Sequence, residues 1–170
     1  MDTEIDRNGL EILARTDCLA LLARRALGRV SVSIGALPVI LPVTYRLSGD
    51  AVVLRTTPGT RFDAALRNAV VAFEVDDLDE VSGTGWSVMV TGLAQEIVGP
   101  DELGWAHTLG LPSWTGGGET RFIRIPCDEI SGRRVGSRPR PAPTTADPQP
   151  VRSPLPGSGA NLSLRRGGIA

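Results

Sequence analysis

Arg29-Val30-Ser31-Val32-Ser33-Ile34, then Leu37-Pro38-Val39-Ile40-Leu41-Pro42-Val43-Thr44-Tyr45, and finally Ser48-Gly49-Asp50 running into Ala51-Val52-Val53-Leu54-Arg55-Thr56 decide the fold. Val30, Val32 and Ile34 alternate with Arg29, Ser31 and Ser33, which is the period of a half-buried strand. In the second run Leu37, Val39, Leu41, Val43 and Tyr45 share one face, and Pro38 and Pro42 fall on the other. A proline cannot donate to a ladder, so this strand reads as an edge, a bulge or a ligand-facing segment. Ser48-Gly49-Asp50 is a tight turn that makes a hairpin with 51–56.

Outward from this core the signals continue. Thr16 or Asp17 is placed to cap a helix running to about Ala26, with Gly28 ending it. A short helix at 60–67 opens on Thr60, with Asp63 three positions on, close to a capping box. Strands follow at 70–75 and 86–98, separated by an acidic loop, Glu74 to Glu80. A helix at about 100–109 and a strand at about 120–125 complete the body. Six closely spaced strands with helices only as plugs and covers predict a mainly β chain with minor α, a small antiparallel barrel.

Composition bounds the rest. The chain has 170 residues and a formal net charge of −1, enough for one domain with a real core. From Ser137 to Ala170 there are seven prolines, five arginines and one acid, so a disordered cationic tail is expected after a domain spanning 1–136. Without that tail the body carries a charge of −5, which argues against nucleic acid as a partner. No apolar run reaches the length of a membrane span, and the acidic N-terminus lacks the layout of a signal peptide, so a cytoplasmic home is expected. All eighteen basic residues are arginine. The absence of lysine excludes a lysine Schiff base and a standard P-loop. With His107 as the single histidine, a multi-histidine metal site within one chain is excluded too.

The candidate site begins at Arg55-Thr56-Thr57-Pro58-Gly59-Thr60-Arg61. Either the arginines are merely solvated, or Arg55 and Arg61 pair with a phosphate dianion, helped by threonine hydroxyls and amides at a helix start. Asp63 is a competitor for Arg61. Gly85-Trp86-Ser87-Val88 opens the longest strand, where Trp86 is a core or rim residue or else a platform for a flat ligand. The acids at 74–80 suggest a solvated turn or, less fittingly, calcium, because the EF-hand ligand order is missing. His107 is a surface histidine or a general acid. Arg133 and Arg134 are solvated or reach a ligand or a neighbouring subunit.

The ordered motifs Gly28-Arg29-Val30, Leu41-Pro42-Val43, Arg55-Thr56, Gly59-Thr60-Arg61, Val71-Ala72-Phe73-Glu74-Val75-Asp76, Gly85-Trp86-Ser87-Val88 and Gly132-Arg133-Arg134 resemble the pyridoxamine 5′-phosphate oxidase-like, FMN-binding split-barrel family, particularly its actinobacterial branch. The likeness covers about residues 9–136. It implies a six-stranded split barrel that pairs as a homodimer, with FMN in a groove between subunits. Carried over, Arg55, Thr56, Thr60 and Arg61 would hold the phosphate and ribityl chain, Trp86 and Ser87 would lie along the flavin, and Pro42, Val43 and Thr44 would form the pocket wall. Relatives commonly carry lysine where this chain has Arg61, which keeps the charge and changes reach. The substrate-phosphate motif of the oxidase itself has no counterpart here. The implied activity is an FMN-dependent oxidoreductase acting on a small-molecule redox substrate. The alternatives are a carrier or sensor loaded with deazaflavin or haem, and an interaction protein whose tail recruits a partner.

Overall fold

The computed structural model describes residues 4–112 and 119–136. The reading of 137–170 as a disordered tail lies outside the described residues. In chain order the elements are β1 (Glu11–Ile12), α1 (Arg15–Ala23), β2 (Leu27–Ile34), β3 (Leu37–Ser48), β4 (Ala51–Thr56), α2 (Arg61–Leu66), β5 (Ala69–Asp79), β6 (Thr84–Glu96), α3 (Pro100–Thr108), β7 (Arg121–Pro126) and β8 (Glu129–Val135).

Six strands close on themselves in the order β6-β5-β2-β3-β4-β7, and β7 returns to β6 through Gln95 and Glu96. All pairings are antiparallel. Closure removes most open edges. The same edge of β6 is used twice: residues 85–91 pair with β8, and 95–96 pair with β7. Gly92 sits at that change of partner, where an added Cβ would come within 2.6 Å of the Pro126 carbonyl oxygen. β1 extends the sheet beyond β8.

The barrel interior is filled by alternate residues of each strand, with Tyr45, Phe73, Leu54, Ile123 and Ile125 fully buried. Tyr45 and Phe73 meet edge to face at 4.8 Å. Cys18 and Leu22 of α1 and Leu66 of α2 join the same core. A second, smaller cluster forms outside the barrel, where Ala106 of α3 and Leu111 cover Val53, Ile97 and Phe122.

Three expectations need correction. The first helix is capped two or three residues earlier and ends at Ala23; Ala14 is its N-cap and supplies no side-chain bond, so Thr16 and Asp17 lie inside it. Gly28 belongs to β2, where the Phe73 ring crosses over it. The acids from Glu74 to Asp79 are strand, not loop, because β6 pairs with them as far as Thr84. Their charge is tolerated there because arginines of neighbouring segments meet it: Arg29 pairs with Glu74 and Asp76, and Arg25 with Asp77. β8 and β1 carry no strong alternation and were not expected.

On the outer face of β5 and β6, Val70 and Leu93 are cross-strand partners and both exposed. Ile40 and Met89 are exposed as well.

Candidate functional site

The β3–β4 ladder stops at the pair Tyr45 and Leu54. Beyond it, residues 37–44 of β3 remain bonded to β2 alone, as the prolines at 38 and 42 foretold. Continued past that rung, the register sets Thr44 and Val43 against Arg55 and Thr56 at an opening in the ladder, where β3 and β4 are no longer bonded. Residues 42–44 lie on the β3 side of this split, and Arg55, Thr56, Thr60 and Arg61 lie at the end of β4 or in the turn and helix start that follow it.

Strand alternation then sorts them. Thr56 is almost fully buried, on the same face as Val52 and Leu54 of the interior. Arg55 takes the opposite face with Val53, where its guanidinium donates to the Leu111 carbonyl (3.4 Å) and to Thr120 Oγ1 (2.5 Å). It has no acid partner among the described residues. Gly59 turns the chain at a φ of 81°, a conformation natural to glycine. Thr60 caps α2: its hydroxyl accepts from the Asp63 amide (3.0 Å) and donates to the Thr57 carbonyl (3.2 Å). The Gly59 amide is taken by Asp63 Oδ2 at 3.2 Å. These two amides are thus spent inside the turn and are not free for a ligand.

Asp63 does not pair with Arg61. Its carboxylate is 1% exposed and pairs with Arg121 of β7. Arg121 reaches on through Nε to Glu96 Oε1 at 2.6 Å. Hydrogen bonding to Asp63 raises the Arg121 pKa above its already high value. Arg61 is left exposed at the rim, in no ion pair among the described residues. Sequence reasoning named Asp63 but missed Arg121 and Glu96, which lie 58 and 33 positions further along the chain. No local signal links them; only barrel closure does.

Trp86 and Ser87 are elsewhere. Ser87 lies opposite Asp76 and Arg133, and Trp86 opposite Asp77 and Arg134. From Ser87 to Glu96, the β6 residue that Arg121 grips, nine positions of strand span roughly 30 Å at about 3.3 Å each. The two neighbours also take opposite faces: Trp86 packs on the barrel core, while Ser87 shares the outer face with exposed Met89 and Leu93. A small cleft of about 230 Å³ lies beside Trp86, lined by Asp77, Asp79, Gly85 and Arg134. Trp86 and Ser87 thus share no ladder rung with the β3–β4 split and sit among residues of β5 and β8.

Arg133 and Arg134 are held by acids, Asp6 at 3.2 Å and Glu11 at 3.1 Å. His107 is exposed on α3 and meets the edge of Phe122 at 4.9 Å. Glu74 titrates higher than an ordinary carboxyl because burial and neighbouring Asp76 outweigh the Arg29 charge.

Comparison with known proteins agrees with this architecture. The family model described as pyridoxamine 5′-phosphate oxidase matches residues 14–134. A FAD-binding protein of Mycobacterium smegmatis is 34% identical and superimposes with a TM-score of 0.65, covering 74% of this chain and 99% of its own. A Corynebacterium glutamicum protein, classed provisionally as a pyridoxamine 5′-phosphate oxidase, is 32% identical with a TM-score of 0.66, over 74% and 98% of the two chains. An uncharacterized Mycobacterium tuberculosis protein is 35% identical over 128 residues, 72% of this chain and 84% of that one. The closed barrel, the split between β3 and β4 and these likenesses lead to one statement: the chain belongs to the pyridoxamine 5′-phosphate oxidase-like family of flavin-binding split-barrel proteins.

Proposed function

We propose that this protein holds a flavin nucleotide with its phosphate against Arg61 at the β3–β4 opening, and works as a flavin-dependent oxidoreductase on a small-molecule substrate. The observation that carries the reading is the opening itself. Two arginines flank it in the chain, Arg55 on neutral acceptors and Arg61 in solvent, with no carboxylate assigned to either among the described residues. Unspent positive charge at the mouth of a cleft is what a phosphate dianion requires. The residues present therefore fit the group.

Arg61 would bind the phosphate, Thr56 and Thr60 would shape the turn beneath it, and Pro42 and Thr44, on the face of β3 opposite buried Val43, would wall the ring and exclude water. A flavin bound there supplies reversible electron transfer that none of these side chains can perform. FMN is the expected occupant. The M. smegmatis relative binds FAD, and FAD presents the same ring, ribityl chain and first phosphate.

The reading needs two copies of the chain. Trp86 and Ser87 lie near the opposite end of β6 from Glu96, nine positions or about 30 Å of strand from Ser87, and in this reading they touch a flavin held by the partner's chain. The exposed apolar face around Val70, Met89 and Leu93 is suited to such a homodimer. No described helix is long and apolar enough to cross a membrane, and the expected home is the cytoplasm.

A second reading keeps the flavin and drops the turnover. The residues assigned to the flavin here are arginines, threonines and a proline, and the nearby Asp63 carboxylate is taken by Arg121, so no free acid or base stands among them, which also suits a carrier. The test is direct. Protein titrated with FMN and with FAD should show quenched flavin fluorescence, and sedimentation should show a dimer. Absence of binding by either nucleotide would sink the proposal. Rapid reduction of the bound flavin by NADPH or a reduced deazaflavin marks an enzyme; a bound flavin inert to both marks a carrier.

A further inference from the structure

We propose that Arg121 is a positioning residue that holds the Asp63 carboxylate away from Arg61, so that Arg61 stays available to a phosphate. The inference rests on the flavin reading above and adds residues that no sequence motif connects to it.

Asp63 is an unusual occupant for its place. It is 1% exposed, and its Oδ1 is buried without a hydrogen-bond partner. A buried carboxylate with an orphaned oxygen costs free energy that an apolar side chain would not. What it gives in return is an acceptor for the Gly59 amide at the turn, as its own amide binds Thr60. The carboxylate thus sits at the turn that Arg61 immediately follows. Residues two apart on a regular helix do not face each other, yet an arginine at the first helical position is long enough to fold back to that turn.

Arg121 settles the competition. It lies on β7 opposite Thr56 and pairs with Asp63 through Nη1, while its Nε donates to Glu96. Asp63 and Glu96 together with Arg121 carry one net negative charge. Take away Arg121 and a buried carboxylate is left uncompensated beside the opening. It would then repel an incoming phosphate and offer Arg61 an internal partner.

The readout is the ratio of FMN to riboflavin affinity, because riboflavin carries the same ring and chain without the phosphate. A merely structural role for Arg121 would weaken both ligands together. Arg121→Gln should lower FMN affinity at least tenfold and riboflavin affinity less than twofold. Adding Asp63→Asn to that variant should restore most of the loss, since the competing charge is gone. Should the single variant fail to fold, the neutral double variant carries the test by itself: a ratio like that of the wild type sustains the inference, and a tenfold loss overturns it, because Arg121 would then touch the phosphate directly. An unchanged ratio in Arg121→Gln overturns the inference and leaves the flavin proposal standing. Wild-type protein that binds neither flavin overturns both.

Discussion

Arginines at two ends of this molecule are treated differently. Around the β5–β6–β8 end, Arg25, Arg29, Arg133 and Arg134 each meet a carboxylate: Asp77, the pair Glu74 and Asp76, Asp6 and Glu11. At the β3–β4 opening, Arg55 and Arg61 have no acid among the described residues, and the carboxylate nearest in sequence is committed to Arg121. The chain has eighteen basic and nineteen acidic residues, so partners are not scarce. Matched charges of this exposed kind contribute little stability one by one, but they cancel the local field. Leaving two guanidiniums uncancelled at one cleft concentrates positive potential there. Arg7, Arg24, Arg46 and Arg67 also lack an acid among the described residues, so what sets Arg55 and Arg61 apart is their place beside the β3–β4 split rather than the missing partner alone.

The largest expected effect tests that separation at once. Arg61→Ala should weaken FMN binding by about 1.5–3 kcal/mol, the range for hydrogen bonds to charged groups. Arg55→Ala should weaken it too, and by less if its contacts with Leu111 and Thr120 are its main task. Arg25→Ala should leave flavin affinity alone. Equal losses of affinity from Arg61→Ala and Arg25→Ala, measured by fluorescence titration, would erase the distinction between the two ends.

A smaller effect belongs to the residue that joins the two regions. Tyr45 forms the last rung before β3 leaves β4, and its hydroxyl donates to the Leu22 carbonyl of α1 at 2.6 Å. Burial pushes its pKa up from 10.0 to about 12. The sign follows from linkage: the folded state holds the phenolic proton more tightly, so stability is full below the unfolded pKa and falls as pH rises from there towards the folded value. The buried thiols of Cys18 and Cys127, raised by desolvation, act in the same direction. Tyr45→Phe should cost about 1 kcal/mol at neutral pH, one buried hydrogen bond. It should also flatten the decline above pH 10 in chemical denaturation, leaving only the part due to the thiols. A variant that declines as steeply as the wild type would place the alkaline sensitivity elsewhere.

The barrel was legible because its strands obey period two. Val30 and Val32, Val43 and Tyr45, Val52 and Leu54 face inward as their alternation demands. The turn at Gly49 and the cap at Thr60 are local chemistry and stand where local reasoning puts them. The prolines at 38 and 42 even marked the stretch of β3 that lacks a second partner. What failed to show was anything decided across the sheet. Adjacent names in a motif suggested a shared pocket, yet Arg55 and Thr56 take opposite faces, as do Trp86 and Ser87. The run Glu74 to Asp79 looked like loop because its charge was visible and the arginines opposite were not. β8 stayed hidden because Ser131, Gly132 and the arginines after it break any apolar alternation, and its register is set by the distant β6 with two rungs from β1.

The smallest effect is expected at the matched end, and its smallness is the point. Arg25 and Asp77 form an ion pair in which both side chains remain nearly half exposed, at 45% and 46%. Water solvates each charge already, so pairing replaces one good environment with another and also restricts two side chains. Arg25→Ala should therefore lower stability by no more than about 1 kcal/mol, and the difference should shrink further in high salt as screening grows. Asp77 stands opposite Trp86 in the β5–β6 ladder, so a cost well above that figure, insensitive to salt, would mean that the pair orients the hairpin and its tryptophan. Cations at that end would then have a task as specific as the one assigned to Arg61, and the boundary between the two regions would have to be drawn by geometry alone.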